Sequence, residues 1–291
     1  MVVDAHIHIQ PWGQFRPEAL RAMAERRADL DLIRSLCDNP AAFLRFLDRE
    51  GVDRAVLVNY VSPDVIGFTD DVNAFFGDYC RGHEDRLVPV GGVHPRLSRD
   101  PAGDLERIVT RHGIRVLKLH PPHQLFRVND YRDGGQLPGL AALYERAARL
   151  QIPVMVHTGT SVFPAARNKY GDPMDLDDVA VDFPDLTIVM AHGGRPLWMD
   201  EALFILRRHK NVHLELSGIP PLKLLEYFPR LEDVADRVLW GTDWPSPGVR
   251  DMKANLEQFL NLDLPEHVKT KITTENAWRL FPSQQGVRSD Q

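Results

Sequence analysis

Short apolar runs rich in β-branched residues recur along this chain at near-even spacing. They are Val2–His8, Arg54–Asn59, Leu87–Val93, Val116–His120, Pro153–His157, Leu186–His192, Val212–Leu216 and Val238–Gly241. Several are continuous in hydrophobicity rather than alternating, the pattern of parallel strands covered on both faces. The intervals carry a different rhythm. Pro40–Glu50 has an apolar stripe at helical spacing and stops before Gly51, a natural C-cap. Leu137–Leu150, Trp198–His209, Leu222–Asp236 and Met252–Leu260 repeat the helical pattern, and Thr273–Phe281 reads as a cap followed by a closing helix. Eight strands alternating with helices predict a single (β/α)8 TIM barrel with right-handed crossovers. An open doubly wound sheet shares the alternation, but no glycine-rich phosphate fingerprint follows the first strand. The barrel is expected to take up residues 1–281, leaving 282–291 as a polar, frayed tail.

Two intervals are longer than a crossover needs. Pro11–Ala41 carries Arg16, Arg21, Arg26, Arg27 and Arg34, and Thr158–Asp178 is punctuated by Pro and Gly. Long loops at the carboxyl ends of barrel strands usually carry lids and substrate contacts.

Composition changes this picture little. At 43% hydrophobic and 26% charged, with a net charge of -6, the chain has an ordinary soluble globular composition and offers no basic surface for nucleic acid or anionic membrane. No apolar run is long enough to span a bilayer. Strand-forming residues begin at Val2, so no cleavable signal sequence is expected. Cys37 and Cys80 are far apart and form no CxxC pair, which fits a reducing compartment, so a cytoplasmic location is expected.

Candidate chemistry falls at the strand ends. Residues two apart on a strand point the same way, so His6 and His8 face one side where the first run closes. On its own such a pair reads equally as two surface histidines. The fourth run, however, ends with Lys118 and His120, the fifth with His157, the sixth with His192, and the eighth leads into Asp243. A closed barrel gathers its carboxyl strand ends over one face, so these residues converge. His83, His112, His209 and His267 instead scatter among the intervals. Imidazoles with a carboxylate make a metal site, and zinc suits that donor set.

The motifs Asp4-Ala-His-Ile-His8, Lys118-Leu-His-Pro-Pro122, Met155-Val-His-Thr-Gly159, the run from Gly171 to Gly194, Trp240-Gly-Thr-Asp-Trp-Pro245 and Glu275-Asn-Ala-Trp-Arg-Leu-Phe281 resemble the amidohydrolase superfamily. They resemble most the branch that holds aminocarboxymuconate-semialdehyde decarboxylase, resorcylate decarboxylase and several hydrolases. The resemblance implies one divalent metal, most often zinc, held by His6, His8, His157 and Asp243. It implies that His192 acts as general acid or base, that Asp243 shuttles a proton while ligating, and that homo-oligomers are common. His192 as a fourth imidazole ligand stays open. Lys118 keeps several roles open: carbamylated bridge of a two-metal site, cation for a substrate carboxylate beside His120, or support within a polar barrel layer. Arg195, Asn59 and Trp244 are further candidates for substrate contact, Phe163 for the pocket wall, and Asp4 for structural support of the histidines. The reaction expected is hydrolysis of a small, carboxylated organic substrate. Non-oxidative decarboxylation of an aromatic or unsaturated acid is the alternative, and a non-catalytic metabolite-binding barrel is a third reading.

Overall fold

Each of the eight runs forms a strand, and each strand lies inside its run. In the computed structural model, which describes residues 1–132, 134–246 and 248–282, the chain runs β1 (Val3–Ile7), α1 (Pro17–Ala24), α2 (Leu30–Cys37), α3 (Pro40–Glu50), β2 (Arg54–Leu57), α4 (Asp71–Cys80), β3 (Leu87–Gly91) and α5 (Pro101–His112). It continues through β4 (Val116–Leu119), α6 (Pro121–Gln124), α7 (Gly139–Arg149), β5 (Val154–His157), α8 (Asp175–Asp182), β6 (Ile188–Ala191), α9 (Met199–Arg208) and β7 (Val212–Glu215). It ends with α10 (Leu224–Tyr227), β8 (Val238–Leu239), α11 (Met252–Leu260), α12 (Glu266–Thr270) and α13 (Asn276–Leu280). Apart from Pro282, the predicted tail lies outside the described residues.

Neighbouring strands pair in parallel in the order β1 to β8. The barrel closes where β1 meets the segment after β8. Ala5 N–H donates to Trp240 O (3.0 Å), Asp243 N–H to His6 O (2.8 Å) and His8 N–H to Trp244 O (2.7 Å). Two apolar cores result. One fills the lower barrel with Val3, Ala5, Val56, Val58, Val88, Val90, Val116, Met155 and Val189, and Ala277 and Phe281 join it from the C-terminal helix. The other lies between barrel and helices. Among the described residues, no helix is long and apolar enough to cross a membrane.

Two helical expectations are corrected. Leu222–Asp236 is not one helix: α10 stops at Tyr227, Phe228 turns extended (φ -125°, ψ 70°), and a 3-10 turn resumes at Leu231. Pro229 is the cause, because it lacks an N–H and forces its predecessor out of the helical region. Thr273 caps nothing. It sits inside a wide π turn between α12 and α13, and its Oγ1 donates back to Lys269 O.

Candidate metal centre and active site

β1 is irregular in a way that matters. Val3 and Asp4 pair with Arg54 and Ala55, but Ile7 pairs with Leu57, so β1 carries one extra residue across that step. Such a bulge switches which side chains face inward. Val3 and Ala5 point into the barrel core, whereas Ile7 and Ile9 belong to the outer core and His6 and His8 line the cavity at the barrel mouth. β6 and β8 switch differently. His192 and Asp243 both adopt left-handed backbone (φ 69° and 68°), which non-glycine residues rarely do. Such strain costs ~1–3 kcal/mol and gathers at functional sites.

The result is a tight convergence of acceptors. His6 Nδ1–H donates to Glu215 Oε2 (2.8 Å) and His8 Nδ1–H to the Val58 carbonyl (2.8 Å). Each bond puts the ring proton on Nδ1 and leaves Nε2 bare. These bare nitrogens lie 3.7 Å and 3.1 Å from the same oxygen, Asp243 Oδ1. Burial holds the His6 imidazole well below the ordinary histidine value, so no proton sits there to bridge to the carboxylate. Burial also pushes the Asp243 carboxyl up. The neighbouring imidazoles of His8, His192 and His6 outweigh that and hold it well below the usual range. Lone pairs facing one another at these spacings call for a cation. The edges of a tetrahedron with bonds of 2.0–2.1 Å are about 3.3 Å, so the donor set fits a zinc-sized ion.

Other predicted residues fall around this cluster. His157 does not join the three at ligand spacing, but its ring lies edge-on to His192 (centroids 4.7 Å apart), and its Nε2 is buried without a partner. His192 Nδ1–H donates to the Ser217 carbonyl (3.0 Å), leaving Nε2 as its basic nitrogen, and burial keeps the ring neutral. Lys118 and His120 follow one another on the inward side of β4 and line the cavity. Among the described residues, Lys118 Nζ and His120 Nδ1 are buried without partners. Burial, partly offset by Glu215 and Asp243, brings the Lys118 pKa down to about 7. No bond ties Lys118 to Asp243. Arg195 does that instead, donating to Asp243 Oδ2 (3.0 Å), so each carboxylate oxygen has one role. The cavity above has a volume of about 410 Å³, the size of a small-molecule site. Phe163 lines it, and Arg26 reaches it from just beyond α1.

Asn59 and Trp244 are not part of it. Asn59 points away from the barrel, with its amide near Ile9 O and its oxygen accepting from Tyr60 N–H. Tyr60, one residue on and in phase with inward Val56 and Val58, takes the cavity position. Trp244 is buried against Phe46 and Phe43 (centroids 5.0 and 6.4 Å) in the outer core. Asp4 supports the site through backbone: it accepts from His6 N–H and from both Thr242 N–H and Oγ1–H.

Glu215, like Tyr60, is a residue that sequence reasoning missed. It is fully buried at the carboxyl end of β7, and burial raises its carboxyl to about 7. Its Oε2 accepts from His6 Nδ1–H and from Ser217 Oγ–H (2.7 Å), and Ser217 in turn touches His192 Nδ1. One carboxylate therefore orients both a ligand-type histidine and the candidate base. A signal was present: Val212-His-Leu-Glu-Leu216 places an acid at a strand end in an otherwise apolar run.

A model of the amidohydrolase family matches residues 3–283. The chain belongs to the amidohydrolase family. The 2-pyrone-4,6-dicarboxylate hydrolase of Comamonas testosteroni is 30% identical over 142 residues, a match covering 35% of this chain and 46% of that one, so the chain spans about half of that relative's length. The 4-sulfomuconolactone hydrolase of Rhizobium radiobacter is 24% identical over 302 residues, covering 96% and 89% of the two chains. Among solved structures, 2,6-dihydroxybenzoate decarboxylase with 2,6-dihydroxybenzoate bound shares the fold (TM-score 0.67, 18% identity, 96% and 98% coverage).

Proposed function

We propose that this protein is a zinc-dependent hydrolase of small, anionic cyclic esters. The observation that carries the reading is the meeting of His6 Nε2, His8 Nε2 and Asp243 Oδ1 with the ring protons locked on the far nitrogens. His157, with its buried, unpartnered Nε2, is the fourth ligand in this reading. When bound, a divalent cation there supplies Lewis acidity toward the scissile carbonyl and acidifies a water to a pKa near ~7. His192 takes that water's proton at Nε2, held in place by Ser217 and Glu215. Arg195 fixes Asp243 and, with unpartnered Lys118, offers positive charge to a substrate carboxylate. His120 lines the same cavity and keeps a buried, unpartnered Nδ1.

Substrate class comes from the relatives. Both hydrolases act, by their names, on lactone-type rings bearing anionic groups, and the cavity's size and cationic floor suit such molecules. The buried, unpaired thiols of Cys37 and Cys80 suit a cytoplasmic setting. The test is a panel assay of the zinc-loaded protein with 2-pyrone-4,6-dicarboxylate, other carboxylated lactones and 2,6-dihydroxybenzoate. Ring opening of a carboxylated lactone is expected. Carbon dioxide release from the aromatic acid, with no lactone opened, would replace hydrolysis by decarboxylation.

A further inference from the structure

The wall formed by the ends of β2 and β4 and the loop after β5 holds a polar array that the metal chemistry does not use. Tyr60 Oη lies 2.8 Å from His123 Nδ1, and His123 Nε2 lies 2.6 Å from Ser161 Oγ. All three residues line the cavity, and Tyr60 and His123 are buried. The His123 ring is stacked on His120 (centroids 3.7 Å apart, 18° between planes), which fixes its orientation. The Phe163 N–H donates to Ser161 Oγ (3.3 Å) and fixes the other end.

A neutral imidazole has one N–H and one bare nitrogen. Burial pulls His123 down to about 3, so it is neutral across the physiological range. If Tyr60 donates to Nδ1, then Nε2–H donates to Ser161, and the Ser161 hydroxyl proton is left for the cavity. If Ser161 donates to Nε2, the order reverses and Tyr60 presents the proton. The array thus offers the cavity one hydroxyl proton at a time, and a proton entering at one end releases one at the other.

We propose that Tyr60, His123 and Ser161 form a proton relay that delivers a proton to the oxygen released from the substrate; this rests on the hydrolase reading above. As the acyl carbon–oxygen bond breaks, its electron pair stays on the departing oxygen, which takes the Ser161 Oγ proton. Ser161 takes the Nε2 proton of His123, His123 Nδ1 takes the Oη proton of Tyr60, and Tyr60 takes one from a cavity water. The hydroxide so formed takes the proton that His192 removed from the attacking water. One water is consumed and no charge is left over. The array, left in its opposite tautomer, resets when Ser161 returns its proton to Nε2 and takes one from a cavity water, while Nδ1 returns one to Tyr60 and Tyr60 releases one to water. Burial disfavours a Tyr60 phenolate, so the hand-over from water accompanies the transfer. Ser161 is the catalytic residue of this array; His123 and Tyr60 act through it.

Two esters of succinic acid separate the relay from a structural role. Ethoxide needs a proton to depart, whereas 4-nitrophenolate does not. On the zinc-loaded enzyme, His123→Asn and Ser161→Ala are expected to lower kcat ~100-fold on mono-ethyl succinate and less than ~3-fold on mono-4-nitrophenyl succinate, the scale of a lost general acid. Equal losses on both esters would overturn the relay. A second measurement needs no turnover: nitrogen NMR of the zinc-loaded protein labelled at histidine. His123 is expected to show a mixture of tautomers whose balance moves in Tyr60→Phe and in Ser161→Ala. A single tautomer, unchanged in both variants, would also overturn the relay. If the wild type cleaves neither ester, the lactone panel above still decides on the hydrolase reading, and the nitrogen spectra alone decide on the relay.

Discussion

At the scale of single residues, the site depends on who holds the ring protons. Glu215 fixes the His6 proton on Nδ1 and so makes Nε2 a donor to a cation. Glu215→Gln removes that charge while keeping the shape. Zinc affinity is expected to fall ~10–100-fold with the fold intact, as read by competition with a chelator. Lys118 is the opposite case, a buried amine with no partner. Its pKa falls from 10.5 to about 7 because burial disfavours the ammonium, so the folded state binds fewer protons than the unfolded one. Stability from this group is therefore present above pH 10.5 and lost as pH falls through about 7. Lys118→Met should stabilise the metal-free protein more at pH 6 than at pH 9 in denaturant unfolding, while lowering activity. A gain that is the same at both pH values would contradict this reading. Much at this scale was legible. The rule that selected His157 and His192, a ligand-type side chain closing a strand, also selects Glu215 when applied to the seventh run. Inward alternation through Val56 and Val58 points to Tyr60 rather than Asn59. Trp244 was less legible, since an indole beside a candidate ligand aspartate packs outward or lines a pocket with equal ease.

At the scale of elements, irregularities aim the chemistry. The β1 bulge and the left-handed residues ending β6 and β8 are the devices that turn His6, His8, His192 and Asp243 toward one point. None of them can be read from hydrophobic periodicity, because each is a one-residue departure from it. The strands were legible because their runs are apolar on both faces. The break at Phe228 was written in Pro229 but masked by the helical composition around it. Close packing behind the candidate ligands is equally local. A Cβ on Gly241 would fall 2.5 Å from Glu215 Oε1 and 3.1 Å from His6. Gly241→Ala is therefore expected to push Glu215 off His6, cost ~1–3 kcal/mol of stability by overpacking, and weaken metal binding. Calorimetry together with metal analysis checks this, and unchanged values in both would refute the packing argument.

At the scale of the whole molecule, closure of the barrel converts residues more than two hundred positions apart into one site. The seam between β1 and the segment after β8 brings His6 and His8 against Asp243. The lower barrel is sealed by an apolar core, and the mouth stays polar and open to a small molecule. This division of one barrel into a stable floor and a reactive rim is what the strand-end histidines announced in the sequence. The substrate was not legible there, because the cavity wall includes loop side chains such as Ser161 and Arg26 whose placement depends on the folded mouth. The most direct test of the central claim is the zinc content of purified, zinc-equilibrated and gel-filtered protein. About one zinc per wild-type chain is expected, and less than about a tenth of that in His8→Ala and Asp243→Ala, since each removes a proposed ligand. Stoichiometric zinc retained by both variants would contradict the account.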